Sequence, residues 1–151
     1  MKNDEYYMKL ALTEAKKAYR RGEVPVGAVI VYNDKVLGKG YNLREHSNNL
    51  VKHAEIIALK KANQKLHNWR LENATIYITL FPCPMCASAI VQSRIKKVVI
   101  ASPTKDLKVQ KIVNLIFEGD SLNKSINVIE GILKQESQNL LSEFFKERRS
   151  M

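Results

Sequence analysis

The sequence predicts an α/β protein in which helices cover both faces of one sheet, and three observations carry that prediction. Two strand-like runs flank a turn near the start, and strand-like and helix-like segments then alternate along the chain. The third is length: 151 residues suffice for one hydrophobic core and are short for two. Strands separated by helices favour parallel pairing beneath helices on both faces. A single domain over residues 1–151 is expected, since no internal repeat, long linker or low-complexity tract divides the chain.

Between residues 4 and 21, Tyr7, Leu10, Ala11, Ala15 and Ala18 recur at helical spacing, with Asp4 placed to cap the helix and Gly22 to end it. Residues 26–32 (VGAVIVY) and 35–41 (KVLGKGY) read as strands, joined by the turn-forming pair Asn33 and Asp34 into an antiparallel hairpin. Residues 42–52 are polar and are expected to form a loop. From 53 to 66, Ile56, Ile57, Leu59 and Ala62 mark a second helix, which opens on His53. Residues 74–80 (ATIYITL) are a third strand, a helix runs from Pro82 to Ser93, and residues 97–101 (KVVIA) are a fourth strand. A stretch with no clear reading follows. Residues 127–130 then form a short fifth strand, and residues 135–149 a closing helix with Leu140, Leu141, Phe144 and Phe145 on its apolar side.

The formal charge of +10 creates a field that favours a polyanionic partner, although the same balance also serves as a solubilising surface. No apolar run approaches the roughly 20 residues of a membrane span, so none is expected. Asp4 and Glu5 interrupt the start, which lacks the apolar stretch of a secretory leader; the chain is expected to begin at Met1 and to stay in the cytoplasm. In that reducing compartment the only cysteines, Cys83 and Cys86, point to metal or redox chemistry over a structural disulfide.

The chemistry concentrates in His53-Ala54-Glu55 and Pro82-Cys83-Pro84-Met85-Cys86, each at a predicted helix start. Residues three apart share a helix face, so Cys83 and Cys86 can chelate one ion, and the helix dipole favours them as thiolates. His53 can supply a third ligand. One imidazole and two thiolates around a dication form a neutral set with one open position, which suits a catalytic Zn2+ holding water there, polarised towards hydroxide. Glu55 is placed to take the water proton, protonate the ring nitrogen beside an amino-bearing carbon, and hand a proton to the departing ammonia. Other readings use the same residues. C-x-x-C is also a redox spacing, a closed structural zinc would draw a fourth ligand from His46 or His67, and Glu55 alone would be a solvated helix residue.

H-A-E at one helix start and P-C-P-M-C at the next resemble the signature of the cytidine-deaminase-like superfamily. The segment GEVPVGAV at 22–29, Gly40-Tyr41-Asn42, Ser93-Arg94-Ile95 and LLSEFFKERR at 140–149 are similar to bacterial tRNA-specific adenosine deaminases within it. The resemblance implies a three-layer α/β/α fold with a five-stranded mixed sheet, a homodimer and one zinc per subunit. It also implies hydrolytic conversion of adenosine to inosine at the wobble position of a tRNA anticodon. A deaminase of a free base or nucleoside, of guanine or cytosine type, is the alternative, because pocket shape alone selects the base. Carried over by position, Asn42 would hydrogen-bond the base, Val26 and Ala54 would line its pocket, and the Pro82 region would face the amino group. Phe145 would close the wall, and Arg148 and Arg149 would meet the RNA backbone. Simpler roles exist: Asn42 as a hairpin end, Val26 and Phe145 as core, the arginines as a solvated helix end. The chain departs from the family at Phe81 (usually Glu), at Asn49-Leu50-Val51-Lys52 (usually Asp-Pro-Thr-Ala), near Thr104 (an Asp), and at 109–112, where a Gly-rich loop is missing. None of these positions is a proposed ligand or Glu55.

Overall fold

The computed structural model describes residues 2–119 and 125–149. Helix α1 (Asp4–Arg20) leads into the hairpin β1 (Gly27–Tyr32) and β2 (Lys35–Tyr41). There follow α2 (Arg44–Ser47), α3 (Ala54–Leu66), β3 (Thr75–Leu80), α4 (Pro84–Gln92), β4 (Lys97–Ser102), α5 (Leu107–Glu118), β5 (Asn127–Glu130) and α6 (Lys134–Arg149). The strands form one five-stranded sheet in the order β2-β1-β3-β4-β5. Strand β1 runs antiparallel to β2 and β3, whereas β3, β4 and β5 are parallel, so the sheet is mixed. The link through α3 passes over β1 and returns as β3 in the direction of β2, so strands joined by a helix do run parallel even where their immediate neighbours do not.

The hairpin forms as its residues dictate. Asn33 and Asp34 have φ of 49° and 58°, and this pair of left-handed residues has the twist that joins adjacent strands tightly. At the start of α1 the cap is Asn3, one residue before the expected Asp4: its extended backbone lets Oδ1 accept the Tyr6 N–H at 2.9 Å. Asp4 instead accepts from the Tyr77 hydroxyl at 2.8 Å and from Lys97 Nζ at 3.2 Å, tying α1 to β3 and β4. Gly22, at φ 74°, follows the last turn of α1 as expected. Two elements lie where none was read. The polar stretch after Tyr41 contains α2, too short to show a period, and the stretch after Ser102 holds the 12-residue α5. Asp106 caps α5 by accepting from the Lys108 and Val109 N–H groups at 3.0 and 3.2 Å.

Strand alternation divides the core into two layers. Ala28, Ile30, Ile76, Ile78, Val98 and Ile100 face α3, α4 and α5, whereas Val29, Val31, Tyr77, Val99 and Ala101 pack with Tyr7, Met8 and Ala11 of α1. Helix α6 joins α1 on the second face, where the Ser137 hydroxyl donates to the Thr79 carbonyl at 2.5 Å. Each face thus removes a continuous apolar layer from water, the dominant stabilising term. Two glycines of β2 let α3 rest on the strand backbone: a Cβ at Gly40 would lie 2.3 Å from the Ala54 oxygen, and one at Gly38 2.4 Å from the Ala58 oxygen. The start of α3 is therefore set directly by β2. Among the described residues no helix is long and apolar enough to cross a membrane.

Candidate active site

Two helix starts meet at one end of the sheet, beyond the last residues of β2 and β3. Strand β3 ends at Leu80, and three residues on, Cys83 occupies the N-cap of α4, with extended backbone (φ −75°, ψ 167°) and Pro84 opening the helix. Proline suits that first position, where no N–H is needed. Cys86 then stands on the first turn, fully buried, with Cys83 half-buried beside it. His53 is the N-cap of α3, and Glu55 lies on that helix's first turn, only 4% exposed.

These elements bring His53 Nδ1 to 3.8 Å from Cys83 Sγ and 3.5 Å from Cys86 Sγ. Tetrahedral zinc, with bonds of about 2.3 Å to sulfur and about 2.0 Å to nitrogen, holds such atoms about 3.6 Å apart, so the donor set fits the metal. All three ligating atoms lie within 4.8 Å of one another, and among the described residues no other group of three or more His, Cys, Asp or Glu side chains could hold an ion. In particular, His46 turns its ring to Glu23 at 2.7 Å, and His67 ends α3 with φ 54°, at the far end from the site.

The electrostatics match a cation site. The Cys83 thiol is held down to about 4, first by its hydrogen bond with Cys86 and further by His53, while Cys86 is pushed far up by the same shared proton and by burial. His53 is raised, chiefly by its bond to the Cys83 sulfur. Burial pushes the Glu55 carboxyl up, and His53, Cys83 and Cys86 all lie near enough to move it further in either direction. A raised carboxyl holds its proton more readily, as a group that is to return that proton to substrate must.

A cavity of about 490 Å³ opens onto His53, Glu55 and Cys83. Of the residues singled out from sequence, Val26, Asn42, Phe145 and Arg148 also line it. Asn42 is engaged on both sides of its amide, donating to the Val24 oxygen at 3.1 Å and accepting from the Ala54 N–H at 3.0 Å. It retains one further hydrogen and one further lone pair for a ligand. Phe145 is 46% exposed at the rim. Arg148 donates to the Gly22 carbonyl and lies over the Phe144 ring, 5.0 Å from its centroid. Ala54 and Pro82 are buried and not among the lining residues. Arg149 closes α6, and its side chain lies outside the described residues.

Glu23, Arg44, Glu45 and Phe144 line the cavity without having been singled out. The polar stretch around Arg44 carried no periodic signal, and Phe144 read as the inward face of α6. It is 5% exposed and packs edge-on against both Tyr19 and Phe145, so it serves core and cavity together. Phe81, the departure beside the cysteine segment, is 6% exposed and lines the cavity within the α3–α4 core.

Comparison with known proteins agrees with this geometry. Residues 1–102 match the family described as the cytidine and deoxycytidylate deaminase zinc-binding region, which takes in His53, Glu55, Cys83 and Cys86. The chain is 45% identical over 150 residues to the tRNA-specific adenosine deaminase of Bacillus subtilis (strain 168), covering 99% of this chain and 92% of the relative. It is 43% identical over 146 residues to that of Buchnera aphidicola subsp. Schizaphis graminum (strain Sg), covering 97% and 96%. A solved structure from a study of A-to-I editing by tRNA:A34 deaminases at the wobble position of transfer RNA superposes with a TM-score of 0.82 at 32% identity, covering 90% of this chain and 99% of that one. A guanine deaminase from Nitrosomonas europaea shares the fold at 20% identity, with a TM-score of 0.79 over 95% of this chain and 85% of that one. Carrying the family's zinc-binding region and matched over nearly the full length of such relatives, the chain belongs to the tRNA-specific adenosine deaminases.

Proposed function

We propose that this chain, folded as a single domain, converts adenosine to inosine by hydrolysis at the wobble position of a tRNA anticodon in the cytoplasm. The carrying observation is the convergence of three ligating atoms within 4.8 Å of one another beside the buried Glu55, at the wall of a cavity large enough for a base. His53, Cys83 and Cys86 would hold the zinc, which supplies the Lewis acidity that lets water attack near neutral pH. Glu55 takes a proton from the attacking water, delivers it to the ring nitrogen next to the amino-bearing carbon, and carries the second proton to the amine. The water oxygen becomes the carbonyl of inosine, and ammonia leaves.

The relatives support the tRNA substrate, as does the +10 charge. Within the cavity, Val26 and Phe145 would pack on a splayed-out base, with Ala54 and Pro82 behind the wall, and Asn42 would offer its remaining hydrogen-bonding capacity to the base edge. Arg148 and Arg149 would meet phosphates at the end of α6. The protein would act as a homodimer. Leu107, Ile112 and Leu115 of α5 are 69%, 47% and 65% exposed, apolar side chains that a second subunit would cover.

Ammonia release from an anticodon stem-loop, measured beside free guanine, cytosine and adenosine, tests the substrate. The proposal predicts turnover of the stem-loop alone. Rapid turnover of a free base with the stem-loop untouched would establish the free-base alternative.

A further inference from the structure

Residues 42–53 contribute Asn42, Arg44, Glu45 and His53 to the cavity, and the helix within them is a single turn whose N–H groups at Glu45 and His46 have no acceptor inside the loop. Helix α2 has four residues, and Leu43 at its N-cap makes no side-chain cap bond. A helix so short does not persist by propensity, and its first N–H groups need acceptors. Glu23 supplies them from outside the loop. Its Oε1 accepts the Glu45 N–H at 3.1 Å, its Oε2 accepts the His46 N–H at 2.8 Å, and His46 Nδ1 turns back to the same Oε2 at 2.7 Å.

A carboxylate that is 2% exposed needs a reason to be there, since burial without partners is costly. Burial pushes the Glu23 carboxyl up, and the bonds from His46 and Glu45 outweigh it and hold the group below the usual carboxylate range. All three donors belong to the cavity loop. The residues just after Glu23 continue the brace: the Val24 oxygen accepts from the Asn42 amide and the Val26 oxygen from the Asn42 N–H. Glu23 also lines the cavity, but it stands outside the metal-ligating group.

We propose that Glu23 and His46 form a clamp that positions the active-site wall: Glu23 serves as the external cap of α2, His46 latches onto it, and together they fix where Arg44 and Glu45 meet the nucleic acid. The activity arm of the test rests on the tRNA reading, whereas the exchange arm does not. In the zinc-loaded enzyme, Glu23→Gln keeps the shape but puts an amide donor against an N–H donor. Hydrogen exchange at the Glu45 and His46 amides should rise about tenfold, and KM for the stem-loop should rise by a similar factor, with kcat and zinc content held. His46→Ala, at a side chain 51% exposed, should move both readouts the same way by about threefold, and His46→Asn, which can still donate to Glu23, should restore them.

Unchanged exchange and unchanged KM in Glu23→Gln and His46→Ala would overturn the clamp. So would zinc loss in Glu23→Gln, or a His46→Ala defect that Asn fails to rescue. If the wild-type enzyme leaves the stem-loop untouched, the substrate reading is lost instead, and the exchange comparison decides the clamp by itself.

Discussion

Replacing Gly40 by alanine tests how directly the sheet sets the metal site. The new Cβ would lie 2.3 Å from the Ala54 oxygen and 2.8 Å from the Ala58 nitrogen, both backbone atoms that no rotamer can move aside. Unstrained contacts need about 3.4 Å or more, so the start of α3 must lift by about 1 Å. Overpacking of this kind destabilises by about 1–3 kcal/mol, and in a chain of this size each kcal/mol lowers Tm by about 2–4 °C. The functional effect should be larger, because Ala54 sits between His53 and Glu55, and a shift of about 1 Å at a reacting group lowers turnover by about 10²-fold. Gly38→Ala is the matched control. Its Cβ would lie 2.4 Å from the Ala58 oxygen, an equally severe clash one turn further from the site. Thermal unfolding, zinc per chain and kcat should show similar Tm losses in the two variants, with kcat falling about 10²-fold in Gly40→Ala and less than about tenfold in Gly38→Ala. Equal kcat losses in the two, or full activity in a destabilised Gly40→Ala, would refute the claim that β2 sets the position of His53 and Glu55.

Glu55→Gln should keep the fold and the zinc while lowering kcat by about 10²–10⁴, as loss of a proton carrier does; turnover measured beside metal content checks this. A strong chelator at neutral pH should abolish turnover and lower Tm, and one equivalent of zinc should restore both, because metal binding and folding are coupled through the same three ligands. The Glu23 carboxyl is held below its ordinary value of 4.5 in the folded protein. A depressed acid contributes stability above its unfolded value and loses it as pH falls through the folded one. The stability difference between wild type and Glu23→Gln, measured by denaturant unfolding of the metal-free proteins, should therefore be full at neutral pH and vanish on acidification below that range. A difference that grew on acidification would reverse the assignment.

Much of the site was legible because its chemistry is local in sequence. His53 and Glu55 stand two residues apart, Cys83 and Cys86 three, and each pair is placed by the helix start that the sequence announces. The hairpin was legible for the same reason, since Asn33 and Asp34 are among the few residues that tolerate left-handed backbone. The partner of β1 was not. Its pairing with β3 depends on where the crossover through α3 lands, and no local pattern encodes that. Helix α5 could have been found: Asp106 marks its start, Gly119 its end, and Val109, Val113 and Phe117 recur four apart on its buried side. Its exposed Leu107, Ile112 and Leu115 obscured that face by scattering apolar residues among Lys108, Lys111 and Asn114 on the solvent side. Glu23 was unreadable for a different reason. A lone Glu near a helix end looks solvated, and only the loop that folds back over it from 22 and 23 residues away shows what it holds.

The most direct test of the metal site is X-ray absorption at the zinc edge of the loaded enzyme. The account predicts two sulfurs at about 2.3 Å, one imidazole nitrogen at about 2.0 Å and one solvent oxygen, with the same spectrum in Glu55→Gln. A second imidazole completing the set, or fewer than two sulfurs, would contradict it.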